Sequence, residues 1–191
     1  MHLNKEVKMK TSIILTLLLV FFYSTVHAVE RETLLAPQKY ESGGFGGPTI
    51  SFTQLNDKST WGLGGKGAWL VNHAYYIGGG GYNTFLNESN NDGILQHEGL
   101  ILGFVGRPNR IFHYSVELLI GGGQLIIDQQ DDFDAVFAAE PQAYLSINLA
   151  TFAVLNVGVS YRYISGSNNN TYSSSDLSGA AFNINVMFGK H

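Results

Sequence analysis

The sequence predicts an all-β fold, a closed antiparallel transmembrane β-barrel of about eight strands after a cleavable signal peptide, and three observations predict it. Apolar and polar residues alternate with period two over long segments, as in strands with one covered face. Those segments exceed the ~5–6 residues usual in soluble sheets and match the ~9–11 that cross a bilayer at a tilt. The gaps between them alternate between tight and long.

Composition narrows the choice. Charged residues are 14% of the 191, and 23 residues are Gly. Soluble domains usually carry ~25% charge and ~7% Gly, and each interior Gly costs a helix about 1 kcal/mol, so a helical bundle is excluded. Aromatics at 13% and hydrophobics at 45% exclude a disordered chain. The absence of Cys excludes disulfides, zinc-thiolate sites, cysteine nucleophiles and an N-terminal lipidated Cys.

The first element is an export signal over residues 1–28. Lys5, Lys8 and Lys10 precede an apolar run at 13–23, and Val26 and Ala28 stand at the −3 and −1 positions of a cleavage site. The run has about half the ~20 residues of a spanning helix. Three lysines and one glutamate leave with the signal, so the remaining chain carries net charge −6. An acidic exported chain is not expected to bind nucleic acid. Residues 29–42, with Pro37, read as a polar periplasmic tail, and 43–191 as the barrel.

Strands follow at about 48–55, 60–71, 74–86, 95–105, 111–126, 135–148, 152–164 and 178–188. The last is the cleanest: Phe182, Ile184, Val186 and Phe188 share one face, and Ala181, Asn183, Asn185 and Met187 the other. In the seventh, Ala153, Leu155, Val157, Val159, Tyr161 and Tyr163 oppose Asn156, Gly158, Ser160 and Arg162. Glycines at 78–81 leave the facing of the third and fourth strands open. Tight gaps lie at 72–73, 106–110 and 149–151, and longer polar ones at 87–93, 127–134 and 165–177; 56–59 is a short exception. Short turns on one side and long loops on the other are the asymmetry of outer-membrane barrels. Segment 74–80 echoes 117–123, but no long period supports a solenoid.

Alternation alone fits a soluble lipocalin-like carrier as well as a membrane barrel, because the two differ in which face is oily. The membrane polarity is favoured by aromatics at the ends of the apolar faces (Trp61 and Trp69, Phe112 and Tyr114, Tyr161 and Tyr163) and by polar faces rich in Gly, Ser, Asn and Gln. A tight turn around Thr151 sets Glu140 opposite Arg162, Gln142 opposite Ser160 and Leu145 opposite Val157, so every pair matches in character. A turn centred on Pro108 sets Glu117 opposite Gly99 and Leu102 opposite Tyr114, and the turn at Asn72-His73 sets Lys66 opposite Gly79. Lys66, Glu117, Glu140 and Arg162 are therefore the candidate lumen charges, with a direct Glu140–Arg162 ion pair expected. An eight-stranded barrel is narrow enough for such side chains to fill it.

Gly43-Gly44-Phe45-Gly46-Gly47-Pro48, Gly64-Gly65-Lys66-Gly67-Ala68-Trp69, the stretch 77–82, Glu140-Pro141 and Val159-Ser160-Tyr161-Arg162-Tyr163 together resemble a group of uncharacterised glycine-rich barrels within the OmpA/OmpX-like outer-membrane architecture. The resemblance covers about 43–188 and implies an eight-stranded membrane barrel without catalytic residues. One departure is that Phe188, in the place of the terminal aromatic such barrels present for assembly, is followed by Gly189, Lys190 and His191.

Other chemistry is thin. Asp128, Asp131, Asp132 and Asp134 form an acidic loop with the density, but not the pattern, of a calcium site, and read as a weak divalent-ion loop at most. His73, His97 and His113 have no metal-ligand spacing, and no metal or other cofactor is expected. A lipid-modifying enzyme of the outer leaflet has only His97, Glu98 and Ser173 to Ser175 to draw on, and adjacent His97 and Glu98 point to opposite faces of a strand. The sequence thus points to a monomeric outer-membrane barrel with a structural or surface-interaction role. Its expected partners are the lipid bilayer, lipopolysaccharide and the outer-membrane assembly machinery. A narrow pore for ions or small solutes, the soluble carrier and the lipid enzyme are the alternatives.

Overall fold

In the computed structural model, residues 42–55, 58–86, 93–127, 134–167 and 172–190 are described. They form eight strands: β1 (Ser42–Leu55), β2 (Lys58–Val71), β3 (Tyr75–Leu86), β4 (Gly93–Gly106), β5 (Phe112–Ile127), β6 (Asp134–Ala150), β7 (Ala153–Ser165) and β8 (Gly179–Lys190). Each pairs antiparallel with its sequence neighbours, and β8 pairs with β1 to close the barrel. The expected signal segment at 1–28, the tail at 29–41, and Asp128, Asp131 and Asp132 lie outside the described residues. The first strand extends six residues further toward the N-terminus than its alternation suggested, because Gly43 to Gly47 join the ladder opposite 66–70.

The pairing is staggered. From Gly43 it passes through Leu70, Tyr76, Gly103, Glu117, Gln142, Ser160 and Ala181 and returns to β1 at Thr53, a shift of ten residues from 43 to 53. A stagger of this size goes with strands tilted by roughly 40°.

Two of the expected registers are corrected. Glu117 stands opposite Gly103, and Leu102 opposite Leu118, four residues from the expected pairing. The turn here is centred on Arg110 rather than Pro108. Arg107 takes a left-handed conformation (φ 59°), the Arg110 N–H donates to the Arg107 carbonyl, and β5 starts only at Phe112. The Tyr114 ring then lies over Gly106, in the space a Cβ there would take. A shift of four keeps every side chain on its expected face. Lys66 stands opposite Gly80 instead of Gly79, because the turn spans Asn72, His73 and Ala74, with φ of 54° at both Asn72 and His73. The β6–β7 register is the one the sequence indicated, with Gln142 opposite Ser160 and Leu145 opposite Val157.

The oily face points outward. Trp61, Leu63, Trp69, Ile77, Leu100, Leu102, Ile120, Leu145, Val159, Tyr161 and Phe182 are all exposed, on all sides of the barrel. Soluble monomers rarely expose apolar patches beyond a few hundred Å². A continuous belt of this kind is stable against hydrocarbon, with aromatic side chains at both rims: Trp61, Phe85, Phe137 and Tyr163 toward the loop end, and Trp69, Tyr75, Tyr114 and Phe188 toward the short turns.

Facing in the glycine-rich strands is now defined. Tyr76, Tyr82, Thr84 and Leu86 of β3 and Leu95, His97 and Ile101 of β4 point inward. The interior is layered. A polar layer at mid-height is capped toward the loops by apolar Leu55, Leu86, Leu95, Leu125, Ile164 and Leu177 with their neighbours. The lumen is therefore polar only in part. Leu177 is delivered by a turn after β7, in which Ser173 donates through its hydroxyl (2.6 Å) and its N–H (2.9 Å) to Asp176. These two donors hold the exposed Asp176 carboxyl below its usual range.

Candidate functional site

The four expected lumen charges all lie inside the barrel, and alternation places them there: Lys66 on even-numbered β2 positions, Glu117 on odd β5 positions, and Glu140 and Arg162 on even positions of β6 and β7. They are 0–7% exposed. They form two ion pairs. Lys66 Nζ lies 2.6 Å from Glu117 Oε1, and Arg162 Nε donates to Glu140 Oε2 at 3.2 Å.

Each pair is embedded in further hydrogen bonds, as buried charge requires. The Tyr76 hydroxyl donates to Glu117 Oε2 at 2.6 Å. Lys66 Nζ also sits 4.5 Å from the centre of the Tyr144 ring. With the Asn185 amide oriented to match its neighbours, its oxygen accepts from Lys66 Nζ at 3.3 Å and its nitrogen donates to Thr49 Oγ1 at 3.1 Å. Around Glu140, the Ser160 hydroxyl donates to Oε1 at 2.6 Å and His97 Nε2 approaches Oε2 at 3.0 Å. Arg162 Nη1 donates to Thr84 Oγ1 at 3.1 Å, and Asn183 Nδ2 to Ser160 Oγ at 2.9 Å. The two halves meet at Gln142, which accepts from the Tyr144 hydroxyl and donates to the Tyr82 hydroxyl oxygen at 3.4 Å. Tyr82 in turn stacks on the His97 ring, 5.3 Å between centres.

His97 was not among the expected lumen charges. It is fully buried on the inward face of β4, while Glu98 is exposed on the outward face. Its partner Glu140 is 43 residues away on a strand that β4 does not pair with, so no local spacing could reveal the contact. Ser160, His97 and Glu140 are residue types of a hydrolytic triad, but Ser and His both bond to the carboxylate rather than to each other, and all three are buried. A nucleophile needs its base within reach and a route for substrate, and this arrangement offers neither.

At the short-turn end a cavity of about 40 Å³ is lined by Phe45, His73, Tyr76, His113, Asn148 and Asn156. That space holds roughly one or two waters and stops at the ion-paired layer. Asp134, the described member of the acidic loop, accepts a hydrogen bond from the Ser167 hydroxyl at 2.9 Å. Phe188 is half exposed on β8, and the strand continues past it, with Gly189 and Lys190 pairing with Phe45 and Gly44.

No protein-family model matches this sequence, and no curated protein matches it significantly in sequence. Solved structures do match in three dimensions. Neisserial surface protein A aligns with a TM-score of 0.60 at 9% identity, over 80% of this chain and 99% of its own. Ail, the attachment invasion locus protein of Yersinia pestis, solved with the heparin analogue sucrose octasulfate, aligns at 0.53 and 17% identity, over 80% and 99%. The outer membrane protein OprG of Pseudomonas aeruginosa aligns at 0.53 and 11% identity, over 80% and 97%. The chain has the fold of small eight-stranded outer-membrane β-barrels.

Proposed function

We propose that this chain is a monomeric bacterial outer-membrane protein, exported by a cleaved signal peptide, that works through its surface, its barrel interior acting as a rivet and not as a conduit. The observation that carries this reading is the filled lumen. Two charge-neutralising ion pairs and their hydrogen-bonded neighbours cross the barrel at mid-height, with an apolar layer above them. An ion passing through would have to displace both layers.

Function then falls to the loop-side face and the wall. Ail is described in complex with a sulfated heparin analogue. For this chain a polyanion is the less favoured partner, since its segment 128–134 carries four aspartates. Contact with lipopolysaccharide through bridging divalent ions suits that charge better. The outer-membrane assembly machinery would read β8, with Phe188 as its aromatic. No enzymatic role is proposed.

Purified protein in planar bilayers is expected to give no stable conductance steps at neutral pH. Regular single-channel steps that change size in Glu140→Ala or Arg162→Ala would replace the rivet with a narrow pore.

A further inference from the structure

The turn between β4 and β5 brings positive charge and apolar surface together at the short-turn end. An open groove of about 840 Å³ there is lined by Arg107, Asn109, Arg110, Ile111 and Phe112. The turn is fixed from inside. The Arg110 N–H donates to the Arg107 carbonyl at 3.0 Å, and the Asn148 side-chain nitrogen donates to the carbonyls of Pro108 (3.2 Å) and Arg110 (2.9 Å). The backbone is thus tied to β6, and the arginine side chains stand outside it.

Two features of this turn serve no contact within the barrel. The first is the charge. Arg107 and Arg110 are exposed, and among the described residues neither side chain makes a hydrogen bond or an ion pair. Arg107 also holds a left-handed conformation (φ 59°), uncommon for such a residue, while its side chain lines the groove. The second is the apolar surface. Ile111 (67%) and Phe112 (63%) are the most exposed large apolar side chains among the described residues. Depth relates the two. Tyr114 marks the rim of the apolar belt, and Phe112 stands two residues further along the same face, about 7 Å of strand. At a tilt of roughly 40° this carries the turn about 5 Å beyond the rim, into the level of lipid head groups.

We propose that this groove binds an anionic phospholipid of the leaflet at the short-turn end. Arg107 and Arg110 hold its phosphate, and its acyl chains lie against Ile111 and Phe112. The proposal rests on the reading that the apolar wall faces lipid. Guanidinium groups match phosphate oxygens with paired N–H donors, and here no carboxylate competes for them. Among the described residues Glu117 and Glu140 are buried in the lumen, Asp134 and Asp176 lie toward the loops, and Glu98 lies on the loop-side half of β4. A second copy in the same bilayer brings its own arginines to this level and its acidic residues to the opposite end. A soluble acidic partner would leave Ile111 and Phe112 uncovered.

Single-tryptophan proteins read the site, because a brominated acyl chain quenches only a tryptophan close to it. In the first, Trp61→Phe and Trp69→Phe remove the two native tryptophans, and Ile147→Trp places a reporter on the residue paired with Phe112. In the control, Trp61→Phe alone leaves Trp69 on β2, three strands away from β5. Each is refolded into phosphatidylcholine vesicles containing brominated phosphatidylglycerol or brominated phosphatidylcholine. At position 147 phosphatidylglycerol is expected to bind roughly fivefold more tightly than phosphatidylcholine, a preference of about 1 kcal/mol. At Trp69 the two lipids should quench equally. Arg107→Gln combined with Arg110→Gln should abolish the preference at 147. Equal quenching there by both lipids would overturn the site while leaving the wall in lipid, and quenching by neither would overturn the lipid-facing reading itself. The same preference at Trp69 would mean a general attraction of anionic lipid and no site. A preference that survives the double substitution would remove the arginines' role. Arginine-dependent binding of polyglutamate, without any head-group preference, would replace the lipid with an acidic partner.

Discussion

Glu140→Ala is expected to destabilise the folded barrel by about 3–5 kcal/mol, the cost of leaving a buried charge without its partner. The substitution strands Arg162, which is 1% exposed, and removes the acceptor of both His97 and Ser160. Urea unfolding in lipid vesicles, followed by tryptophan emission, measures the effect, and a lower temperature for loss of the compact gel form gives a second readout. The paired replacement Glu140→Met with Arg162→Met separates pairing from packing. Apolar replacements of a whole buried pair are often neutral or stabilising, so the double variant should recover most of the loss. A single variant within about 0.5 kcal/mol of the parent, the range of an ordinary surface change, would mean that the pair is not holding the lumen.

Gly121→Val should have an effect of similar size by another route. A Cβ at Gly121 would meet the Glu98 carbonyl oxygen and the Gly99 Cα, both backbone atoms of β4 without a rotamer to escape into. The β4–β5 ladder must then open, at about 3 kcal/mol or more, the upper end of what overpacking costs. The matched control is Gly67→Ala, whose Cβ has its nearest neighbour at 3.6 Å and which should stay within about 0.5 kcal/mol of the parent. Refolding yield and urea midpoint of the two variants give the comparison. Equal behaviour would mean that inward and outward glycines are not distinguished by packing.

Much of this architecture is legible in the residues themselves. Period-two alternation located seven of the strands to within two residues at each end, because a face against lipid and a face inside a lumen differ strongly in polarity; it missed the first six residues of β1, where glycines blur the pattern. Pairing between β6 and β7 was readable because both strands alternate cleanly on either side of a tight turn. The β2–β3 and β4–β5 registers were not, because they depend on left-handed conformations at Asn72, His73 and Arg107, none of them glycine. The inward positions of Lys66, Glu117, Glu140 and Arg162 followed from the alternation within each one's own strand, so they hold although the partner of Glu117 moved by four residues and that of Lys66 by one. Their network did not follow from it. Tyr76 reaches Glu117 from 41 residues away and Arg162 reaches Thr84 across 78, contacts set by the roundness of the barrel. The apolar cap was hidden for a related reason. Leu86, Leu95, Leu125 and Ile164 occupy inward positions at strand ends, where alternation alone predicts polar residues.

The most direct measurement of the central claim is the environment of two adjacent side chains. The chain contains no cysteine, so Val159→Cys and Ser160→Cys each give a single site for a nitroxide label. Val159 is 59% exposed on the outward face and Ser160 6% on the inward one. In lipid vesicles the label at 159 should be broadened by oxygen, which concentrates in hydrocarbon, and not by a water-soluble nickel complex; the label at 160 should respond weakly to both. A label at 159 that nickel reaches freely, or one at 160 that oxygen reaches more easily than at 159, would contradict a barrel that turns its apolar face to lipid.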